Sequence, residues 1–493
     1  MSSLPRKIEV HQFKKDGRHF LLDVQSSVFM EIDELFSDVV DLSSAHNAEE
    51  IVKLLRLKHP EESISEALSE LERLFEMGLM SEQKKREHKV PDEIPLNALH
   101  LNISHDCNMA CRYCFVDEGT FGEKRNLMSK EVAEASVDYL FSRSGKWKGV
   151  HIIFFGGEPL MNFKLIQHVV PYAKKVSKEY EKDVSFGLTT NGTLFSERVV
   201  KYLTENNINA LVSIDGPSSI QDRMRPLRNG KGSYQKMLEG LLRYIKAQKG
   251  EVAARVTMTP ENMDLKEITL HLLSLGFKTV HIEPVSGAGA PFHFTAEDIE
   301  FLKGEFDKFA EYYLSEVLSD RPFGFFNFHR ELGQTYHATR KLHACTAGKY
   351  GLAVSTKGEL YPCPRFVGIP EHKMGDVFSG HSKEMQNQYF LCHVDNMPGC
   401  KACWARYLCG GSCIAESYEI NGSIFLPWDL RCELHKHVIE LSVMIYSTIH
   451  SKDKQVLDKL HGAVLKARPY LKPVLEPFSS FEGKLREGFH QKK

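Results

Sequence analysis

The run Ile103-Ser104-His105-Asp106-Cys107-Asn108-Met109-Ala110-Cys111-Arg112-Tyr113-Cys114-Phe115-Val116-Asp117 sets three cysteines at C-x3-C-x2-C directly behind an apolar stretch. Leu99 to Ser104 reads as a buried strand, so the cysteines fall in the loop at its carboxyl end. A structural zinc site wants four ligands. Three thiolates can instead hold three irons of a four-iron, four-sulfur cluster and leave the fourth iron open to a chelating ligand. The competing reading is a zinc knuckle that recruits His105 or Asp106.

The strand before this loop opens a repeated pattern. Strands are predicted at 99–104, 151–155, 185–190, 210–214, 252–258 and 279–285, with helices at 129–142, 162–178, 196–206, 234–247 and 264–275. Strand-helix units in series specify an α/β fold with a parallel sheet covered by helices. Six units, where a closed barrel has eight, predict a partial (β/α)6 barrel over residues 95–335. A barrel of this kind builds its site from the carboxyl ends of its strands. The unusual stretches sit there: the cysteine loop, Gly156-Gly157-Glu158-Pro159, Thr190-Asn191-Gly192, Ser213-Ile214-Asp215-Gly216 and Glu283-Pro284.

The 493 residues exceed one ordinary core, so two to four domains are expected. Residues 1–85 start with alternating apolar positions (Ile8, Val10, Phe13, then Phe20, Leu22, Val24) that read as a small hairpin. Helical spacing follows at Ile51, Leu54, Leu55, Ile64, Leu68, Leu71 and Phe75, which suits a winged-helix-like module. Lys84 to Glu93 reads as the linker out of it. Beyond about residue 340 the alternation stops. A cysteine-rich segment, 340–440, precedes a helix at Val438–Ile449 and a lysine-rich tail within 441–493.

Charge is balanced, with 63 Lys and Arg against 65 Asp and Glu, which argues against a nucleic-acid partner. No apolar run reaches membrane-spanning length, and Met1 to Val10 lacks the apolar core of a signal peptide. A cytoplasmic protein with no membrane partner is expected. Thiols stay reduced there, so the 11 cysteines point to metal ligation rather than disulfides. They fall in two regions, 107–114 and 345–432.

The three-cysteine loop followed by Gly156-Gly157-Glu158-Pro159 resembles the radical S-adenosylmethionine (SAM) superfamily. The resemblance implies that Cys107, Cys111 and Cys114 are the catalytic cluster ligands and that the amino and carboxylate groups of SAM chelate the open iron. Reductive cleavage would then give methionine and a 5'-deoxyadenosyl radical that abstracts hydrogen. Further cofactor-binding roles follow. The Phe115 backbone would meet adenine. Gly156 and Gly157 would admit the methionine ammonium and Glu158 would supply it a carboxylate. Asn191 joins this set from the end of the third strand. Ser213 and Asp215 would bond ribose or methionine groups, or form only a strand-end turn. Arg225, in Asp222-Arg223-Met224-Arg225-Pro226, would pair with the SAM carboxylate or a substrate acid, or form a surface ion pair.

Cys345, Gly358-x4-Cys363, Cys400-x2-Cys403-x5-Cys409-x3-Cys413 and Cys432 reproduce the seven-cysteine SPASM pattern. By that resemblance Cys400, Cys403, Cys409 and Cys432 hold one auxiliary [4Fe-4S] cluster, and Cys345, Cys363 and Cys413 hold another. With the SAM-binding cluster the total is three. The second auxiliary cluster is one ligand short. Either Cys392 closes it or a substrate thiolate binds the open iron; Cys392 lies outside the pattern, which favours the open site.

SPASM proteins act mostly on ribosomally made peptides and proteins. In the sulfatase-maturing subgroup an aspartate follows the cysteine of the Gly-x4-Cys element. Here that residue is Pro364, which counts against formylglycine formation. His105 to Asn108, Phe121-Gly122 with Leu127-Met128-Ser129, Phe154 to Asn162, Asp222 to Pro226 and Gly230 to Tyr234 are closer to the thioether-forming, sactisynthase-like maturases of SCIFF and ranthipeptide precursors. That resemblance implies a thioether crosslink between a cysteine sulfur and a carbon of another residue in a precursor peptide. Residues 1–85 would bind the leader as an added strand. An electron donor such as flavodoxin or ferredoxin would supply the reductant. The competing expectation is a SPASM modifier that forms carbon-carbon crosslinks or epimerised residues.

Overall fold

The computed structural model describes residues 5–83, 88–248, 252–286, 292–337, 339–453 and 455–457. The linker expectation at 84–87 and the tail beyond 457 lie outside the described residues. Val10–Lys15 (β1), Arg18–Asp23 (β2) and Val28–Ile32 (β3) form an antiparallel sheet in that order. Asp16 and Gly17 join β1 to β2 with φ of 52° and 72°, the two positive values that a tight hairpin turn requires. The sheet has three strands, the upper of the two or three that the alternating pattern allows. Glu34–Ser43 (α1), Ala48–Leu55 (α2) and Glu61–Glu76 (α3) follow, so all three strands precede the helices. Asp33 caps α1, and Asn47 with Glu50 forms a capping box on α2. These elements share a core of their own, built on Leu21, Val39, Ile51, Ile64 and Leu68.

The main sheet starts at Ala98–His105 (β4). Asn126–Leu127 (β5) pairs with the end of β4. Gly149–Gly156 (β6), Asp183–Thr190 (β7), Ile208–Ser213 (β8), Ala253–Met258 (β9) and Thr279–Pro284 (β10) lie beside β4 as successive parallel neighbours. Lys130–Ser142 (α4), Phe163–Glu179 (α5), Glu197–Glu205 (α6), Ser218–Met224 (α7), Tyr234–Ala247 (α8) and Leu265–Ser274 (α9) fill the connections. Strand alternation sets the layers. On β6, Val150, Ile152 and Phe154 are buried, whereas His151, Ile153 and Phe155 are partly open on the opposite face. This is an α/β fold with a parallel sheet, consistent with a partial barrel.

The sheet does not stop at six strands. Ala296–Leu318 (α10) leads to Gly324–Phe325 (β11), which extends the β10 edge, and to Phe326–His337 (α11). On the other edge Gly351–Val354 (β12) runs parallel to β4. Glu359–Tyr361 (β13), Gly375–Asp376 (β14) and Gly380–His381 (β15) continue it antiparallel. The cysteine-rich segment is thus hydrogen-bonded into the barrel sheet, which its short strands concealed from a periodicity reading. Lys383–Leu391 (α12), Pro398–Lys401 (α13), Arg406–Cys409 (α14), Ile414–Asn421 (α15) and Asp429–Lys452 (α16) complete the described elements. The last helix begins well before Val438 and carries Cys432 in its first turn.

The amino-terminal elements pack on this carboxyl-terminal segment. The His11 ring stacks on Trp404 at 3.7 Å, and Leu22 is buried with Ala405, Leu408 and Ile439. Among the described residues no helix is long and apolar enough to cross a membrane.

Candidate active site

The three-cysteine loop is held by backbone from two directions. Ala110 N donates to the Pro226 carbonyl at 2.9 Å and Arg112 N to that of Met224 at 3.0 Å, so the end of α7 cradles it from one side. From the other, Gly157 N donates to the Ser104 carbonyl at 2.8 Å and Glu158 N to that of Asp106 at 2.9 Å. Here the glycine pair is explained. A Cβ on Gly156 would collide with the Ser104 carbonyl oxygen, and one on Gly157 with that of Asp106 and with Gly119. The pair therefore lets the end of β6 press against the cysteine loop itself.

Glu158 is held by its own neighbours. It is fully buried, with Oε1 accepting from Leu160 N at 3.0 Å and Thr190 Oγ1 at 2.8 Å, and Oε2 accepting from Asn191 N at 2.8 Å. Burial, partly offset by those donors, pushes its carboxyl up to about 6. The group braces the turn after β7. Asn191 is fixed in consequence: its Nδ2 donates to Asn108 Oδ1 at 2.9 Å and points at Cys107 Sγ, 3.8 Å away. Met109 N lies 3.4 Å from the same sulfur.

Asp215 is buried as well. It accepts from the Tyr113 hydroxyl at 2.6 Å and from Thr257 N at 3.1 Å. Tyr113 in turn accepts from Arg225 Nη1 at 2.7 Å. Tyr113 was missed; its signal was an aromatic ring inside the Cys111-x2-Cys114 spacing. Arg225 is buried rather than in a surface ion pair, and its Nε has no partner among the described residues. Ser213 is half-buried at the end of β8. Phe115 is 48% exposed at the mouth.

Burial pushes the Cys107 thiol up to about 12 and Cys111 up to about 11, so both need a cation at the sulfur to ionise near neutrality. Among the described residues no three His, Cys, Asp or Glu side chains converge as ligands of a single metal ion.

The second cysteine region sorts into two neighbourhoods. Burial pushes Cys363 up to about 12, with Cys413 and Cys345 adding to the shift. It pushes Cys400 up to about 12, with Cys409 and Cys403 adding, and raises Cys432 beside the same three. His435 Nδ1, 3.3 Å from Cys409 Sγ, outweighs burial there and lowers that thiol. Cys392 is 3% exposed, and its S–H points at the Ile424 carbonyl at 3.1 Å. Arg365 joins the two regions. Its Nη1 is 3.9 Å from Cys413 Sγ, its Nη2 donates to Ser286 Oγ at 2.7 Å, and its guanidinium lies over Phe115.

Residues 101–273, the stretch that contains the loop and its cradle, match the Radical SAM superfamily. That stretch of the chain is therefore similar to a radical SAM domain. An uncharacterized protein of Methanocaldococcus jannaschii is 30% identical over 187 residues, which are 38% of this chain; the match spans 61% of that relative, less than two thirds of its length. The serine-type anaerobic sulfatase-maturating enzyme of Bacteroides thetaiotaomicron is 26% identical over 65% of this chain and 82% of its own. In fold, the solved structure of anSMEcpe with bound AdoMet is similar with a TM-score of 0.63 at 21% identity, covering 75% of this chain and 98% of that one. The same enzyme is also solved with AdoMet and the Cp18Cys peptide.

The residues present fit the cluster and SAM that this superfamily implies. Three cysteines share one loop, N–H groups of Met109 and Asn191 aim at Cys107 Sγ, and the buried Arg225 Nε stands as a spare donor for an anionic group.

Proposed function

We propose that this chain is a radical SAM enzyme that installs intramolecular thioether crosslinks between a cysteine sulfur and a carbon of another residue in a ribosomally made precursor peptide. The observation that carries the reading is the division of the second cysteine region. Cys403, Cys409 and Cys432 lie beside Cys400, whereas Cys345 and Cys413 lie beside Cys363 and near Arg365, with Cys392 beside Cys345. In this reading the first four are a complete ligand set and Cys345, Cys363 and Cys413 a set of three, with Cys392 left outside it. A set of three leaves one coordination position for a substrate thiolate, which iron ligation keeps deprotonated without a separate base.

When bound, SAM and the cluster on Cys107, Cys111 and Cys114 supply a radical that removes hydrogen from carbon. The chain's own residues do the rest. Tyr113, Asp215 and Arg225 lock the loop to β8 and α7, and Arg225 Nε donates to the carboxylate of the cofactor or of a substrate acid. Phe115 and Arg365 line the path between the two sulfur-rich sites. The winged-helix-like module of residues 1–85 binds the leader as a strand added to an edge of its sheet, which raises the local concentration of the core peptide at the barrel mouth. In this reading residues 340–440 are a SPASM domain, and an electron donor such as flavodoxin or ferredoxin reduces the first cluster.

Sulfatase-maturating relatives support a protein or peptide substrate. Pro364, the residue after Cys363, leaves no carboxylate there to act as the base for serine or cysteine oxidation.

The test is high-resolution mass spectrometry of a cysteine-containing precursor incubated anaerobically with reconstituted enzyme, SAM and reductant, with thiol alkylation as a counter. Loss of two hydrogens per protected cysteine is expected. The same loss with every thiol still alkylatable moves the assignment to carbon-carbon crosslinking, and an unchanged mass with inverted residues moves it to epimerisation.

A further inference from the structure

Lys349 is 1% exposed, in the turn that leads from Cys345 into β12. Its ammonium donates to the Ala347 carbonyl at 3.0 Å and forms no ion pair with Asp or Glu among the described residues. A buried ammonium without an anion is strongly unfavourable, so a lysine in this position either sheds its proton or is held charged by a negative centre beside it.

The turn that carries Cys345 is closed against the segments of Cys363 and Cys392. Gly348 N donates to the carbonyl of Pro362, the residue before Cys363, at 3.0 Å. The Lys349 carbonyl accepts from Gln386 Nε2 at 2.9 Å; that residue lies on α12, and Cys392 is the cap of the same helix. Gly348 has φ of 71°, and a Cβ there would strike the ring of Tyr389 on α12, so the turn cannot lift away. The groups that face the ammonium electrostatically are Cys345, Cys392 and Cys363; burial lowers its proton affinity and those sulfurs raise it.

We propose that Lys349 is a positioning residue for the iron-sulfur centre of Cys345, Cys363 and Cys413, acting as its fixed buried counter-charge and raising its reduction potential. The inference rests on the reading of that centre given above. It also fits the electron balance of the reaction. Joining a thiol to a carbon that has lost one hydrogen atom releases one proton and one further electron. The hydrogen atom leaves in 5'-deoxyadenosine, the proton goes to solvent, and the electron needs an acceptor beside the forming bond. A positive charge held next to the acceptor stabilises its reduced form.

The experiment compares reconstituted wild-type holoenzyme with Lys349→Met, which keeps length without charge, and Lys349→Arg, which keeps charge. Iron per chain and redox titrations followed by electron paramagnetic resonance are the readouts. Lys349→Met is expected to shift one auxiliary centre to a more negative potential, or to lose iron from that centre alone, while the first-loop centre titrates unchanged. Lys349→Arg is expected to stay near wild type. In the apoprotein the sign reverses: Lys349→Met should raise the thermal midpoint, because a buried charge without its anion is removed. Unchanged potential at full iron content, or iron loss in both variants with a lowered apoprotein midpoint, overturns the proposal and leaves the lysine as packing. Wild-type protein that takes up iron for the first loop alone overturns the underlying reading instead.

Discussion

The guanidinium of Arg365 lies over the ring of Phe115, 5.6 Å from its centroid, and so spans the gap between a residue adjoining Cys114 and one two positions after Cys363. The same side chain touches Cys413 Sγ and pairs with Glu419. A bridge of this sort acts on how a substrate is held between two sites. Replacing Arg365 with Met should lower crosslinked product by on the order of 100-fold, the scale of a misplaced reacting group. Peptide-independent formation of 5'-deoxyadenosine should fall far less, because Arg365 meets only the outer face of the Phe115 ring and none of the three loop sulfurs hydrogen-bonds to it among the described residues. Chromatography of deoxyadenosine alongside mass spectrometry of the peptide separates the two; a parallel fall in both would count against the bridging role.

Gly157 presses on Asp106 and Gly119 with no room for a methyl group. Gly157→Ala should displace the cysteine loop, with loss of first-loop iron and at least about a tenfold fall in SAM cleavage. Gly304→Ala is the matched control. It lies in α10 with nothing near the added carbon, so it should leave iron unchanged and stabilise the helix by about 0.5–1 kcal/mol. Iron analysis and a thermal melt of both variants check this.

The barrel was legible because period and punctuation agree along it. The six expected strands correspond to β4 and β6–β10, since alternating or continuous apolar runs there end at glycine and asparagine turns. The cysteine positions were legible because spacing is itself the signal. What escaped was the identity of each partner. Glu158 and Asp215 carry the charge that a ligand site wants, but the sequence does not reveal that Thr190, Asn191, Tyr113 and Thr257 take up their oxygens first. Strands β12–β15 escaped for another reason. They run only two to four residues, too short for periodicity, and exist because β4 offers them an open edge. Lys349 likewise looks like any loop lysine until burial shows otherwise.

Glu158 gives a prediction with a definite sign. Its carboxyl is raised from 4.5 to about 6 by burial, so the folded protein holds this proton more tightly than the unfolded chain does. Stability must then fall as pH rises through the interval between those two values and level off above it, by about 2 kcal/mol in total. Glu158→Gln carries no titrating proton. The difference in unfolding free energy between wild type and variant should change across that window and stay flat above pH 7. Urea unfolding of the apoproteins at four or five pH values measures it, and parallel curves would show that the carboxylate stays ionised.

Arg406 is 4% exposed and donates through Nη1 to Glu9 Oε1 at 2.6 Å, tying the segment before β1 to the helix that carries Cys409. Removal of one partner leaves the other charge buried without compensation, at a cost of about 3–5 kcal/mol for a fully buried pair and toward the lower end here, because Glu9 is partly open. Arg406→Met alone should therefore destabilise the protein by about 3 kcal/mol and loosen the iron that the proposed auxiliary centre of Cys400, Cys403, Cys409 and Cys432 would bind. The double variant Glu9→Gln with Arg406→Met should recover part of that loss, since neither charge is then stranded. Urea midpoints for the four proteins give the coupling energy, and iron retention under a chelator reads the effect on the cysteines. Additive effects would mean that the amino-terminal elements and the cysteine segment merely touch. A clear coupling would mean that truncation of residues 1–85 disturbs the cysteine segment as well as any leader binding, so point substitutions along β1 or β3 are the cleaner probe of leader recognition.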